Sequence, residues 1–356
     1  MHNSKLAVAI AAALGLLSLN AAADQNTTVG GKAYIDFTNI EQKENGVKID
    51  PSGTGADVKR FYLAIDHMFN DMWSANLTTD FNYVSNDSET QLYVKKAYVQ
   101  ARFSDAFKLR AGSADLPWVP YVENLYGYRW VENTLIDRLK FGTSADWGLH
   151  AGGKLADGMF DYSASVVNGN GYKKPARSKA VDFEGRVGFH PIDGVTLAAG
   201  YYDGKLGQES YAPGNSTRNA SRWDLVGAYQ TDLFNVGAEY FSAKDWKNSN
   251  NNAVLTSNAS DKADGYSLWG SVKPMEKVAV FARYDHAKPN KDTMPSLKDT
   301  YYNLGVAYQA YKNVDLALVY KHDKVENGSI DTSNGTIGGT NDGTYNELGV
   351  WAQVKF

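Results

Sequence analysis

The final residues of the chain, 344–356, alternate between apolar and polar side chains. In an extended conformation one face would carry Leu348, Val350, Ala352, Val354 and Phe356, and the other Gly349, Trp351, Gln353 and Lys355. Successive side chains of a strand point to opposite faces of the sheet. The pattern therefore predicts a strand with one face against lipid and the other against a wet interior.

The same alternation recurs in about sixteen segments of the length that a tilted membrane strand needs. The predicted strands are residues 29–40, 58–69, 73–84, 91–103, 107–112, 146–154, 159–167, 181–189, 195–203, 222–230, 234–243, 265–272, 278–286, 301–309, 314–322 and 344–356. This layout predicts an all-β fold, a transmembrane antiparallel β-barrel of about 16 strands.

The connections between these segments alternate between tight turns and mostly longer polar loops. The tight turns are residues 70–71, 104–106, 156–158, 191–194, 231–233, 274–277 and 310–313. The loops are residues 41–57, 85–90, 113–145, 168–180, 204–221, 244–264, 287–300 and 323–343. In outer-membrane barrels the short turns face the periplasm and the long loops face outward. Both chain ends are therefore expected on the periplasmic side.

The N-terminus has the pattern of a secretory leader. Lys5 precedes an apolar run over residues 6–19, and three alanines, Ala21, Ala22 and Ala23, stand before Asp24. This predicts a signal peptide over residues 1–23 and a barrel domain over residues 24–356. No later segment is apolar for long enough to form a membrane helix, so a membrane protein of this sequence requires a closed barrel.

Composition narrows the class further. The chain has 23 Tyr and 8 Trp, which suits aromatic girdles at the two membrane interfaces. It has no Cys, so no disulfide framework is available. Its formal net charge of −4 argues against a general nucleic-acid binder. Barrels of about sixteen strands enclose an aqueous channel, which predicts passive diffusion of ions and small hydrophilic solutes.

The leader, the sixteen-strand layout, the long third loop and the terminal Phe356 together resemble the Gram-negative porins. The resemblance implies a homotrimer in the outer membrane, in contact with outer-membrane lipid and lipopolysaccharide, with the third loop folded into the lumen. The stretch Lys95-Lys96-Ala97-Tyr98, followed by residues 107–112, also resembles a hairpin of the phosphate-selective porins. That second resemblance implies an anion path lined by arginines.

Charged side chains in the inward phase are the candidate pore residues. The basic ones lie early in the chain and are Lys32, Arg60, Lys96, Arg102, Lys108 and Arg110. The third loop supplies Asp115, Glu123, Arg129, Glu132 and Asp137. A basic wall facing these acids would set up a transverse field at the constriction and bias passing ions. The alternative is that these charges pair with neighbours and only hold the wall together.

The mixture of signs in the lumen favours weak or mixed ion selectivity. An anion- or phosphate-selective channel and a sugar-preferring channel remain open as alternatives. A barrel enzyme such as a phospholipase or protease is a rival, but the sequence has no Gly-x-Ser-x-Gly and no His-Glu-x-x-His. Only His150 is a candidate for a catalytic dyad. An adhesin that binds through its polar loops is a third possibility. We expect no catalytic residues, metal or cofactor.

Overall fold

The computed structural model describes residues 26–83, 90–209, 217–246 and 260–356. The predicted signal peptide, residues 1–23, lies outside the described residues. No helix within the described ranges has both the length and the apolar character required to span a membrane.

Eighteen strands form within these residues. The first nine are β1 (Thr27–Glu44), β2 (Val47–Met68), β3 (Trp73–Tyr83), β4 (Thr90–Arg102), β5 (Lys108–Asp115), β6 (Ala145–Leu155), β7 (Phe160–Val167), β8 (Asp182–Phe189) and β9 (Val195–Gly204). The second nine are β10 (Ala220–Gln230), β11 (Phe234–Lys244), β12 (Lys262–Met275), β13 (Val278–Lys288), β14 (Lys298–Tyr311), β15 (Val314–Glu326), β16 (Ser329–Thr332), β17 (Gly335–Gly338) and β18 (Gly343–Lys355).

Sixteen of these strands, β1–β15 and β18, form one closed antiparallel barrel, which confirms the predicted fold class. Each strand pairs with its neighbours along the chain, and β18 closes the barrel by pairing with both β15 and β1. The predicted alternation holds in the closing strand, where Leu348 is 53% exposed on the outer face and Trp351 is fully buried inside. Apolar side chains on the outer face therefore meet lipid, and the charged ones are kept inside.

The first loop was predicted wrongly. Residues 41–57 are not an irregular loop, because β1 and β2 continue as a hairpin as far as Asn45 and Gly46. Both of these residues have a positive φ, 52° and 79°. An Asn-Gly pair is the sequence that a tight turn between two twisted strands prefers. The local turn signal thus decides the structure, although the flanking residues are polar.

The last loop was also predicted without structure, yet β16 and β17 form a small hairpin within it. Ile330 and Ile337 are opposite each other in this hairpin and are both buried. The turn between the two strands bonds to the third loop, since the Ser333 hydroxyl donates to Glu132 Oε1 at 2.7 Å. Part of the eighth loop therefore folds inward and lines the cavity beside the third loop.

The C-terminal residue closes the seam of the barrel. The Gly31 amide donates to the Phe356 carbonyl at 2.7 Å, and the Phe356 amide donates to the Gly31 carbonyl at 3.1 Å. The Phe356 ring lies over Gly31, where a side chain would collide with it, and its centroid is 5.7 Å from that of Phe61. Phe356 thus packs where β18, β1 and β2 meet and hydrogen-bonds β18 to β1.

We expect deletion of Phe356 to lower the amount of folded barrel in the membrane, because the seam loses two backbone hydrogen bonds and one ring contact. The channels that do form should conduct normally, since Phe356 is on the outer face. Folded protein is measured by heat-modifiable gel mobility, and conductance in planar bilayers. Phe103→Ala, which removes an exposed ring elsewhere on the surface, is the control. An unchanged folded yield after the deletion would contradict this role.

Candidate pore constriction

The third loop, residues 116–144, enters the barrel and contains helices α1 (Val119–Tyr126) and α2 (Leu135–Arg138). In α1 the residues Val119, Val122 and Tyr126 recur at helical spacing and form a buried face. Pro120 stands at the start of the helix, and Gly127 ends it with a φ of 81°. The predicted folding of this loop into the lumen is confirmed.

The loop lies against the far half of the barrel, from β8 to β15. The Trp118 indole donates to Glu239 Oε1 on β11 at 2.8 Å, and the Asn235 amide donates to the Leu125 carbonyl at 2.7 Å. The Tyr128 ring stacks on Phe281 of β13 with centroids 4.0 Å apart. These contacts leave the open part of the lumen between the loop and the early strands.

Arg138 fixes the second half of the loop to three neighbouring strands. Its guanidinium donates to Asp285 at 3.1 Å, to Asp299 at 2.5 Å and to Asp323 at 2.7 Å. All four side chains are fully buried, and the guanidinium also lies 4.5 Å from the centre of the Tyr301 ring. A buried arginine with three carboxylates of this kind holds the loop in one position, because each group depends on the others for compensation of its charge.

Two β-bulges increase the positive charge on the early strands. The register between β1 and β2 shifts at Lys59, and the register between β3 and β4 shifts at Lys95. A bulge inserts one extra residue and re-aims its side chain. Lys59 consequently joins Arg60 inside the barrel, where its Nζ lies 3.3 Å from Asp36 Oδ2, and Lys95 joins Lys96.

Lys95 has a different environment from the other inward cations. It is only 8% exposed, and its ammonium lies 4.8 Å from the centre of the Tyr62 ring and 5.9 Å from that of Tyr172. Within the described part of the chain no carboxylate oxygen lies within 4.0 Å of its Nζ. The two aromatic faces stabilise this cation without neutralising it.

Most of the predicted pore charges are brought together as ion pairs. Arg60 contacts Asp80 at 3.0 Å, and Lys96 Nζ contacts Asp115 Oδ2 at 2.8 Å. On the third loop itself, Arg129 lies between two acids, with Glu123 Oε1 at 2.5 Å and Asp137 Oδ2 at 3.6 Å. Arg60, Arg129 and Asp137 face the same open space, because the third loop and the first two strands line a common cavity of about 1070 Å³. Its lining includes Tyr34, Lys59, Arg60, Arg129, Asp137 and Lys173.

Two of the predicted residues lie away from this cavity, and a third lines it but is buried in an ion pair. Arg102 is 51% exposed at the short-turn rim, where it pairs with Asp105 at 2.5 Å. Arg110 donates from Nε to Gln100 Oε1 at 2.8 Å and lies 5.1 Å from the Tyr98 ring centre. Glu132 lines the cavity but is almost fully buried, with its carboxylate 3.4 Å from Lys321 Nζ. Of the early basic residues, Lys32 points inward and has no carboxylate within 4.0 Å among the described residues.

Comparison with known proteins identifies the family. The sequence model of the Gram-negative porin family matches residues 7–328. The chain belongs to the Gram-negative porins. Its sixteen-stranded barrel is therefore an outer-membrane channel for the passive diffusion of ions and small hydrophilic solutes. No curated protein matches the sequence of this porin.

Solved structures share the porin's fold at low sequence identity. The anion-selective porin from Comamonas acidovorans is 13% identical, with a TM-score of 0.69, and the match covers 93% of this chain and 99% of that one. The outer-membrane channel DcaP of Acinetobacter baumannii is 12% identical, with a TM-score of 0.65 and coverage of 93% and 97%. OmpF of Salmonella typhi, in a complex with daunomycin, is 12% identical, with a TM-score of 0.60 and the same coverage.

Sequence reasoning missed Lys59 and Lys95 of this porin, although the chain contained a signal for both. Each is followed directly by a second basic residue, Arg60 and Lys96, in the middle of a membrane strand. Strict alternation would turn one member of each pair toward lipid, at a cost of about 2–4 kcal/mol near the bilayer midplane. Adjacent basic residues at such positions therefore predict a bulge.

His150 of the porin, the only candidate for a catalytic dyad, is buried in the wall. Its Nδ1 lies 2.8 Å from Ser165 Oγ, and its Nε2 lies 3.3 Å from the Gly112 carbonyl. Ser165 is itself buried, so its hydroxyl does not face the cavity. A nucleophile must reach its substrate, and this pair instead links β5, β6 and β7.

Proposed function

We propose that this porin conducts small hydrophilic solutes and ions with a weak preference for anions. The observation that carries the proposal is the set of unpaired cations inside the barrel, of which Lys173 lines the open cavity. Lys32, Lys95 and Lys173 have no carboxylate oxygen within 4.0 Å among the described residues, whereas Arg60, Lys96 and Arg129 are paired. Paired charges largely cancel at the distance of a passing ion, so the unpaired ammonium groups set the sign of the local field.

The preference is expected to be weak because acids share the same space. Glu123 and Asp137 lie on the third loop, and Asp115 lies at the end of β5 beside it. The test is the reversal potential of single channels in a KCl gradient across a planar bilayer. We expect a modest excess of chloride permeability that grows when the salt is lowered, since the screening length rises from about 3 Å at 1 M to about 10 Å at 0.1 M. A preference for potassium at low salt would refute the proposal.

The anion preference should also depend on pH. Burial, and after it the nearby Arg60, together lower the pKa of Lys173 to about 8. Lys173 is outside the strands, on the loop between β7 and β8, and its ammonium lies 4.6 Å from the Tyr93 ring centre. It is charged below pH 8 and neutral above it. The reversal potential should therefore move toward cations between about pH 7 and 9.

Lys173→Arg is the matched control for this titration, because an arginine at this position keeps its charge over the whole range. The arginine variant should show no change in reversal potential between pH 7 and 9. Lys173→Met should show, over this whole pH range, the reversal potential that the unmodified channel has at high pH. If the unmodified channel and Lys173→Arg titrate alike, another group is responsible.

The proposal extends to processing and assembly. Residues 1–23 are removed on export, so that the barrel domain begins at Asp24, and three copies form a trimer whose outer surface contacts outer-membrane lipid and lipopolysaccharide. One structure of OmpT from Vibrio cholerae with the same fold is described as a trimer form, which supports this assembly. The channel carries no catalytic activity. N-terminal sequencing of protein from outer membranes and light scattering in detergent test the first two statements.

A further inference from the structure

Four acidic side chains and two lysines form one cluster on the inner wall, where β15, β18, β1 and β2 face the third loop. Its members, here called the acid cluster, are Asp36, Asp57, Glu132, Glu347, Lys59 and Lys321. Lys321 Nζ lies 3.0 Å from Glu347 Oε2 and 3.4 Å from Glu132 Oε2. Among the described residues no further base lies within 4.0 Å of these acids, so four carboxylates share two ammonium groups.

Lys59 is surrounded by three carboxylates but is close to none of them. Its Nζ lies 3.3 Å from Asp36 Oδ2, 3.5 Å from Asp57 Oδ2 and 3.9 Å from Glu347 Oε1. A close hydrogen bond between an ammonium and a carboxylate measures about 2.7–2.9 Å. One lysine therefore does not satisfy the three acids around it.

Asp36 and Asp57 are directly opposite each other on β1 and β2. Like charges at opposed positions destabilise a sheet. Asp36 is only 2% exposed, and its Oδ1 accepts no hydrogen bond from the described part of the chain. A buried carboxylate oxygen without a donor is costly. A further hydrogen-bond donor with a positive charge would therefore stabilise this pair.

The acid cluster can be reached from the open cavity. Asp57 and Lys59 line that cavity, and their side chains are 30% and 33% exposed. Ile40, Gly53 and Gly55 line it beside them, and a Cβ at either glycine would meet no atom within 4 Å. These three residues leave a low, partly apolar surface next to the carboxylates, on which a small solute has room to lie.

The other large group of inward acids offers no such access. Asp285, Asp299 and Asp323 surround Arg138, and all four side chains are fully buried. That group holds the third loop in place. The acid cluster differs from it because two of its members are open to the lumen.

The chemistry of the site suits an ammonium group better than a metal ion. Within the described ranges no three His, Cys, Asp or Glu side chains are arranged to hold a metal ion. A primary ammonium group has three N–H donors, and it hydrogen-bonds to carboxylates that are too far apart to ligate one metal. One donor can meet Asp36 Oδ1 and another the exposed carboxylate of Asp57.

We propose that Asp36 and Asp57 bind the ammonium group of a small alkylamine solute beside Lys59, with its alkyl part over Ile40, Gly53 and Gly55. The inference rests on the channel in the proposed function, because the solute arrives through its cavity, but not on the weak preference for anions. The bound ammonium supplies the donor that Asp36 Oδ1 lacks and reduces the repulsion between the opposed carboxylates. Weak binding raises the local concentration of the amine in the lumen and so its flux.

The test compares two isomeric cations in single channels of the folded protein. n-Butylammonium and tetramethylammonium have the same composition and charge, but only n-butylammonium has N–H donors. The two chlorides are placed at equal concentration on opposite sides of a planar bilayer, and the reversal potential gives the ratio of the two permeabilities. We expect the unmodified channel to prefer n-butylammonium about fivefold, which is the effect of one net hydrogen bond.

Asp57→Asn removes the exposed carboxylate of the acid cluster and should bring this ratio close to one. The matched control is Asp193→Asn, which removes the same charge from an exposed position in the short turn between β8 and β9 and should keep the ratio. Equal permeability of the two isomers in the unmodified channel, or an equal change in both variants, would overturn the proposal.

The reversal potential in a KCl gradient is measured on the same channels to separate the two proposals. A preference for potassium together with a preference for n-butylammonium refutes the anion preference and supports the amine site. A preference for chloride with equal permeability of the two isomers refutes the amine site alone.

Discussion

Replacing Lys95 by glutamine should shift the ion preference of the channel toward cations by about fivefold in the anion-to-cation permeability ratio. Lys95 is brought into the lumen by a bulge, lies between two tyrosine rings and has no carboxylate partner in the described structure. An unscreened charge acts on an ion about 5 Å away with roughly 1 kcal/mol even in a water-like medium. The measurement is the single-channel reversal potential in a salt gradient.

The control for Lys95→Gln removes a paired charge from the next residue. Lys96→Gln combined with Asp115→Asn deletes both members of the 2.8 Å ion pair and leaves the net charge of the constriction unchanged. This double variant should keep the reversal potential of the unmodified channel. If the double variant shifts it as far as Lys95→Gln does, then position in the lumen matters more than pairing, and the proposed role of unpaired cations is wrong.

Arg138→Met should release the third loop from the wall. The substitution leaves Asp285, Asp299 and Asp323 buried close together without their common cation. Removing one partner of a buried ionic network costs about 3–5 kcal/mol. We expect a lower unfolding temperature in heat-modifiable gel assays and a larger single-channel conductance, because the loop narrows the lumen.

Two further variants separate the loss of the anchor from general damage. Lys312→Met, at an exposed position in the short turn between β14 and β15, should leave both the unfolding temperature and the conductance as they are. Adding Asp299→Asn and Asp323→Asn to Arg138→Met removes the uncompensated acids and should restore part of the stability. Normal conductance and stability in Arg138→Met would show that the apolar contacts of Trp118 and Tyr128 hold the loop without it.

The sequence predicted the repeating part of the fold well. The number of strands, the alternation of loops and the inward or outward direction of the side chains follow from the contrast between lipid and water. That contrast appears as apolar and polar residues alternating along the strands. In β18, for example, Leu348 is exposed on the outer face and Trp351, three residues later, is buried inside. The Asn45-Gly46 pair also indicated a tight turn. This signal was missed because the polar flanking residues were given more weight.

The candidate site was predicted only in part, because its charges depend on partners that are distant in the chain. Lys96 and Arg60 do lie near the third loop. The alternation of side chains along a strand cannot show, however, that Asp115 pairs with Lys96 and Asp80 with Arg60. Glu132 was placed in the constriction by its loop, whereas Lys321, from the far wall, draws it into a buried pair. Arg102 had the right phase, yet it lies too close to the turn to reach the constriction.

The sequence by itself therefore determined the barrel, its likeness to the porins and the enrichment of basic residues on the early strands. Each of these follows from residue type and local spacing. Only the tertiary structure decided which of the charges stay free and where Arg138 fixes the third loop. These features arise between strands that are far apart in the chain, and register, bulges and loop packing set their distances.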